Sequence, residues 1–236
     1  MHAYAANEDL WYLGKGAREN TFLKYRISDS FIDNGSPFEM TIYFKTLLNE
    51  MSWEAVVFEY RNGKIVNGTA ELDNQALNLS PIQESSSQLI EFGKSYARTI
   101  QWLGSSSYAI RPGQLLVKDW QWRSATELGG SPLTVDSFEN IAVPAGTYSS
   151  ALIKLVSNST NLNIWVNKDL PYPVKGEYSS TQTRYSYELL EVGEGFPTSI
   201  PEFPFSVLML ALGLGVTFFA LHRGNEIRST RNLSRN

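Results

Sequence analysis

The sequence predicts a mainly β domain of the α+β class, an antiparallel sheet packed on one amphipathic helix, with a transmembrane helix near the C-terminal end. Three observations carry this reading. Apolar and polar residues alternate with period two in several segments, one segment repeats its apolar residues every three or four positions, and residues 203–221 carry no charge. Aromatic residues make up 13% of the 236 residues, a content that favours strands.

The elements follow in chain order. Leu23, Tyr25 and Ile27 alternate with Lys24, Arg26 and Ser28, and Met40, Ile42 and Phe44 alternate with Glu39, Thr41, Tyr43 and Lys45. Such runs bury one face and wet the other, as antiparallel strands do. Strands predicted at 52–60 and 64–72 flank Asn62-Gly63, the pair that a tight type I′ hairpin needs because both positions take φ > 0. Ser80-Pro81-Ile82-Gln83 offers an N-cap Ser, a Pro at the first helical position and a Gln at capping-box spacing. Leu89, Phe92, Tyr96, Ile100 and Leu103 recur at helical steps, and Gly104 stands where the helix is expected to end. That apolar stripe has to cover the sheet. Further strands are predicted at 115–123, 134–143, 151–156, 161–167 and 183–191, the last with Tyr185, Tyr187 and Leu189 on one face.

Composition removes several functions. With 42% apolar and 19% charged residues the chain buries a core. A net charge of −4 argues against nucleic acid, which needs a basic face. The absence of cysteine excludes disulfides, thiolate metal sites and cysteine nucleophiles. The two histidines, His2 and His222, stand at opposite ends of the chain, which speaks against His-based catalysis or a His-rich metal site.

The C-terminal end places the protein. A helix over the uncharged stretch spans about 28 Å, close to the ~30 Å hydrocarbon core. Arg223, Arg228, Arg231 and Arg235 follow it against the single acid Glu226, whereas the rest of the chain carries a net −7. The positive-inside rule puts the tail in the cytoplasm and the acidic bulk outside. The expected organisation is a mature N-terminus or signal-peptide remnant at 1–10, an extracellular β-rich domain at 11–193, a linker at 194–202, the membrane helix at 203–222 and a basic tail at 223–236. At the other end, Ala3-Tyr4-Ala5 is an A-x-A cleavage pattern with no apolar region before it, so the chain is expected to start inside a longer reading frame, a chance A-x-A in an Ala-rich stretch being the alternative. Asn34-Gly35-Ser36, Asn67-Gly68-Thr69, Asn78-Leu79-Ser80 and Asn158-Ser159-Thr160 are N-glycosylation sequons in the outside part, and Asn232 begins another in the tail.

Ile200-Pro201-Glu202-Phe203-Pro204, an apolar helix and a basic end, in that order, resemble the archaeal PEF-CTERM and PEFG-CTERM sorting signals. The resemblance implies an archaeal surface protein whose tail is recognised at Pro201, Glu202 and Phe203 by a membrane-embedded archaeosortase, which exchanges the helix for a lipid anchor. An ordinary single-pass anchor is the other reading of the same residues. A second resemblance rests on Val143-Pro144-Ala145-Gly146-Thr147-Tyr148, Ile164-Trp165-Val166 and Leu170-Pro171-Tyr172-Pro173-Val174-Lys175. These motifs are similar to a group of exported proteins of unknown function whose fold is like lipoprotein-carrier half-barrels. It implies a curved antiparallel sheet around a helix or an apolar cavity; Ala145-Gly146 is expected to turn between strands, and Pro171 and Pro173 are expected to hold their stretch at a sheet edge.

Catalytic motifs are missing: there is no G-x-S-x-G elbow, P-loop, G-x-G-x-x-G or H-E-x-x-H. Glu54 and Glu59 fall on opposite faces of one strand and share no proton. Asp29 and Asp33 place oxygen ligands on a loop that ends in Asn34-Gly35, where a solvated turn outweighs a weak Ca²⁺ site. Asp73-Asn74 reads the same way. Trp120, Trp122 and Trp165, with Trp102 nearby in sequence, are candidates for a lipid or glycan platform, since residues i and i+2 of a strand share a face; core packing is the alternative. The expectation is therefore a non-enzymatic surface protein without cofactor or metal, with a structural or binding role at the envelope. The alternative is a carrier or solute-binding module holding an apolar or glycan ligand in the sheet concavity.

Overall fold

The computed structural model describes residues 10–48, 50–80, 89, 95–125, 128, 130–157 and 160–197. Ala3-Tyr4-Ala5, Pro81, Gln83, Phe92, Asn158, the motif Pro201, Glu202 and Phe203, and the expected membrane helix and tail lie outside the described residues. Among the described residues no helix is long and apolar enough to cross a membrane.

The first half of the chain contributes β1 (Leu10–Trp11), β2 (Thr21–Asp29), β3 (Phe38–Leu48), β4 (Ser52–Arg61) and β5 (Lys64–Asp73), followed by α1 (Ser95–Ser105). The second contributes β6 (Gln114–Leu115), β7 (Gln121–Arg123), β8 (Pro132–Val143), β9 (Gly146–Val156), β10 (Thr160–Val166), β11 (Lys175–Ser180) and β12 (Arg184–Glu194). Among the described residues ten strands form one sheet in the order β5-β4-β3-β2-β12-β11-β10-β9-β8-β7, and β1 pairs with β6. Every pairing is antiparallel. Two meanders, β2 to β5 and β7 to β12, are joined at one seam, where Tyr187 of β12 lies opposite Ile27 of β2.

Alternation explains the strands. Leu23, Tyr25 and Ile27 of β2 are buried on the inner face, while Arg26 is exposed and Lys24 reaches Glu39 on the outer face at 2.7 Å. The β4–β5 hairpin closes with Arg61 opposite Lys64, and Asn62 and Gly63 take φ of 53° and 77°, the handedness that a two-residue loop requires. Register shifts at Phe44/Thr46, Val135/Ser137 and Leu189/Glu191 mark bulges, each of which bends its strand and adds twist. The Ala145 amide in the β8–β9 turn donates to Leu189 O of β12 at 3.2 Å, a reach that needs the sheet to bend.

α1 lies against the inner face. Tyr96, Ile100 and Leu103 are buried there, and Leu89 joins them in one core with Trp11, Phe44, Tyr172 and Leu189. Burying an aromatic or aliphatic side chain of this size stabilises by roughly 1.5–3 kcal/mol, so the helix is held by its stripe. The core is also rich in tyrosine. Tyr25 donates to Pro173 O at 3.0 Å, Tyr172 to Leu77 O at 2.6 Å, and Tyr187 meets Ser106 Oγ at 3.2 Å. Burial raises the pKa of all three phenols and of Tyr185, so the core hydroxyls stay protonated.

Four expectations are corrected. Gly104 does not end the helix, which continues to Ser105; the glycine is there because the turn after β5 packs on it, with Asn78 Oδ1 and Ala76 O crowding the place a Cβ would take. The strand expected over 115–123 is two short ones, β6 and β7, separated by a turn in which Trp120 N donates to Val117 O at 3.1 Å and Asp119 takes φ of 66°. Pro171 and Pro173 do not sit on a sheet edge. They lie in the buried connection to β11, an interior strand between β10 and β12, where their carbonyls accept from Gly14 N and the Tyr25 hydroxyl and no ladder N–H is needed from them. The turn between β8 and β9 is Pro144-Ala145, with Val143 opposite Gly146, one residue earlier than expected. β1 and β11 were not expected at all.

Candidate functional site

The sequence-predicted tryptophans do not share a face. Trp122, in β7, is buried, and its indole N–H donates to Ser107 O at 2.9 Å. Trp120 precedes that strand, follows the positive-φ Asp119 and is 41% exposed. The expected i, i+2 alignment fails because the chain turns before it extends. Trp165 lies on the outer face of β10, opposite Leu152, covered by Lys175 at 5.1 Å from its ring and bonded through Nε1 to Glu139. Core packing therefore accounts for Trp122, and the three indoles form no joint platform.

What the fold does bring together is a polar cluster beneath the first turn of the described α1. Continuing the buried row of β2 past Ile27 puts Asp29 on the inner face, and continuing that of β4 past Val57 does the same for Glu59; both are fully buried. α1 answers each. Ser95 Oγ lies 2.7 and 2.8 Å from the two Glu59 carboxylate oxygens, and the Arg98 guanidinium pairs with Asp29. Arg61 Nε stands 3.8 Å from Glu59 and 3.4 Å from Asp33, whose carboxylate also accepts from Asn62 Nδ2 at 3.1 Å. Burial is the largest influence on Glu59 and raises its pKa, opposed by the Ser95 hydrogen bond and the Arg61 charge. Arg98 in turn lies over the exposed Phe31 ring at 4.9 Å and over Trp102 at 5.9 Å, and Trp102 stacks on Tyr185 at 4.8 Å. In sequence, Asp29 and Asp33 read only as loop ligands and Glu59 only against Glu54. The signal passed over is an acid in phase with a buried row, which needs a partner from a facing element.

Beside this cluster a cleft of about 530 Å³ opens between one flank of α1, the turn after β5 and the segment before β6. Asn78, Leu79, Arg98, Gln101, Tyr108 and Ile110 are among its walls. The turn is built on Asp73, whose carboxylate accepts the backbone amides of Gln75, Ala76 and Asn78, as a turn-forming Asp does. Arg98 spends its charge on Asp29, so the cleft offers hydrogen-bonding groups over an apolar floor. Of the remaining carboxylates, Glu54 faces outward and pairs with Lys45 at 2.8 Å, apart from Glu59.

The described sequons differ. Asn34 is exposed in a tight turn with φ of 56°, Asn67 is exposed on β5, and Asn78 has its backbone bonded to Asp73 and its Oδ1 buried.

No family model matches the chain, and no curated protein matches it. Among solved structures, it is similar to a protein from Bacteroides fragilis with a YmcC-like fold that is named as exported, at 10% identity and a TM-score of 0.38 over 79% of this chain and 100% of that one. MucB is similar at 9% identity and a TM-score of 0.42, over 80% of this chain and 58% of that one. A protein from Parabacteroides distasonis named as a lipoprotein is similar at 14% identity and a TM-score of 0.36, over 78% and 100%. At these values no activity or partner carries over.

Proposed function

We propose that this chain is a non-enzymatic cell-surface protein, exported, held to the membrane through its C-terminal end and serving an envelope structural or binding role. The observation that carries the reading is the filled inner face of the sheet. Tyr96, Ile100 and Leu103 of α1 occupy the side that a carrier half-barrel keeps open, and Trp11, Tyr25 and Tyr172 complete the packing. The outer face and the loops are then the working surface. Pro201, Glu202 and Phe203 at the head of the uncharged stretch support processing by an archaeosortase, with the stretch as a signal and not a permanent anchor.

The test is the intact mass of the mature protein recovered from the surface of an archaeal host. Loss of the residues after the Pro201-Glu202-Phe203 motif plus an added lipid mass is the expected result. A mass that retains residues 223–236 makes the protein a single-pass membrane protein, and full recovery in the soluble cell fraction refutes the surface reading.

The cleft beside α1 favours a second reading, a module that binds an apolar or glycan ligand there. Full-length protein titrated with short-chain phospholipid and with oligosaccharide should then show a saturable change in Trp fluorescence that Gln101→Ala and Tyr108→Ala weaken. No change with either ligand removes that reading.

A further inference from the structure

We propose that Asn67 is the preferred N-glycosylation site among the three described sequons of the folded domain, and that Asn78 is refused. The proposal rests on the exterior location argued above, and its test separates the two.

An acceptor sequon must present two groups at once. The transferase has to reach the Asn amide and the Ser or Thr hydroxyl two residues on together, and in a strand residues i and i+2 point to one face. Asn67 and Thr69 meet that requirement on β5. Both are exposed, while Gly68 between them is turned inward and buried. β5 ends the sheet order, so among the described residues no further strand of the sheet stands over the side away from β4. The sequon is thus an extended, accessible stretch with a bare small residue at its centre.

The other two lack this geometry. Asn34 is exposed, but its turn closes on itself, with Gly35 N bonded to Ile32 O at 2.8 Å and Ser36 N to Asp33 O at 3.1 Å. At Asn78 the amide N–H donates to Asp73 and the carbonyl accepts from Asp73 N at 2.8 Å, and the side-chain oxygen is pressed against Gly104 of α1. Asn78 thus shows only part of itself, on the cleft wall, and a transferase can seat Asn78 and Ser80 together only by peeling the turn off the helix.

A second observation concerns what the sugar would cover. Asn67 lies opposite Phe58 on β4, on the outer face. Phe58 packs against Phe196 at 5.5 Å, and Phe196, still 55% exposed, also packs against Tyr43 at 5.2 Å. A glycan on Asn67 starts beside this apolar patch and flanks the stretch of the β5 edge over which, among the described residues, no strand of the sheet lies, two features that soluble proteins shield. In the transfer, Asn67 Nδ2 bonds to the anomeric carbon of a polyprenyl-phosphate-linked glycan. The bond from that carbon to the phosphate oxygen breaks, the lipid phosphate leaves with the electron pair, and a base of the transferase takes the amide proton.

The experiment uses folded full-length chain, purified oligosaccharyltransferase and a lipid-linked oligosaccharide, read by intact mass and peptide mapping. Asn67 is expected to be labelled first. Asn67→Gln and Thr69→Ala should abolish that label and Thr69→Ser should keep it, while Asn78 takes label only after denaturation. Label at Asn78 in the folded chain, or faster label at Asn34 than at Asn67, overturns the proposal. Protein isolated from cells separates the two readings: acceptance in vitro with no glycan in cells sinks the exterior location and leaves the site standing, whereas refusal in vitro sinks the site.

Discussion

Replacing Gly104 with alanine sets two effects of opposite sign against each other. Ala is favoured over Gly by up to about 1 kcal/mol in a helix interior, and Gly104, one residue before the end of the described α1, can gain only part of that. The new methyl, however, falls far inside van der Waals distance of Asn78 Oδ1 and 3.0 Å from Ala76 O. The first atom ends a side chain and can swing; the second is backbone in a turn tied down by Asp73. Overpacking of this kind costs roughly 1–3 kcal/mol, so the steric effect wins and Gly104→Ala should destabilise by about 1–2 kcal/mol net. Urea denaturation followed by circular dichroism measures it, with the slope checked for constancy. The cause is tested by adding Asn78→Ala, which removes the nearer obstacle and should recover part of the loss, a coupling of roughly 0.5–2 kcal/mol. A variant more stable than the parent, or strictly additive substitutions, would refute the close approach of turn and helix.

Two further perturbations test the packing. Because burial raises the Glu59 pKa above its ordinary 4.5, the folded state holds that proton more tightly than the unfolded chain, and the stability so gained is present at low pH and lost as pH rises through the folded value. Glu59→Gln removes this loss, so the urea midpoint of the variant minus that of the parent should grow from below pH 4.5 to neutral; a difference flat with pH contradicts the burial argument. At the tryptophans, Trp122→Phe strands the buried Ser107 carbonyl and should cost about 1–3 kcal/mol, whereas Trp120→Phe should stay within about 0.5 kcal/mol. Equal effects in thermal melts would restore the shared-face reading.

Local chemistry made much of this fold legible. The alternation at Leu23, Tyr25 and Ile27, at Met40, Ile42 and Phe44, and at Tyr185, Tyr187 and Leu189 marks three strands of the sheet, and Asn62-Gly63 marks a hairpin with both residues at positive φ. β11 escaped because Lys-Gly-Glu-Tyr-Ser-Ser turns only Gly176 and Tyr178 inward, and a glycine in a buried row carries no hydrophobic signal. That glycine is required by a neighbour, since the Tyr187 ring lies where a Cβ would stand. The polar cluster under α1 was half legible. The phase of Asp29 and Glu59 in their strands shows that they point inward, but nothing near either residue in sequence announces Arg98 or Ser95. The cleft was not legible, because its walls come from α1, the turn after β5, the segment before β6 and Ala125 after β7, which only the packing of α1 brings together.

The seam between β2 and β12 bears on the order in which this domain can be finished. The first long strand pairs with the last, and the strands made between them build outward from that seam on either side. Until β12 has left the ribosome, and for an exported chain until it has crossed the membrane, β2 and β11 each lack one neighbour along their whole length. Pairing over such a sequence separation is slow, and bare edges recruit other chains in the meantime. A chain that stops ahead of Arg184 is therefore no shortened version of this protein: it holds two half-sheets with their joining edges uncovered.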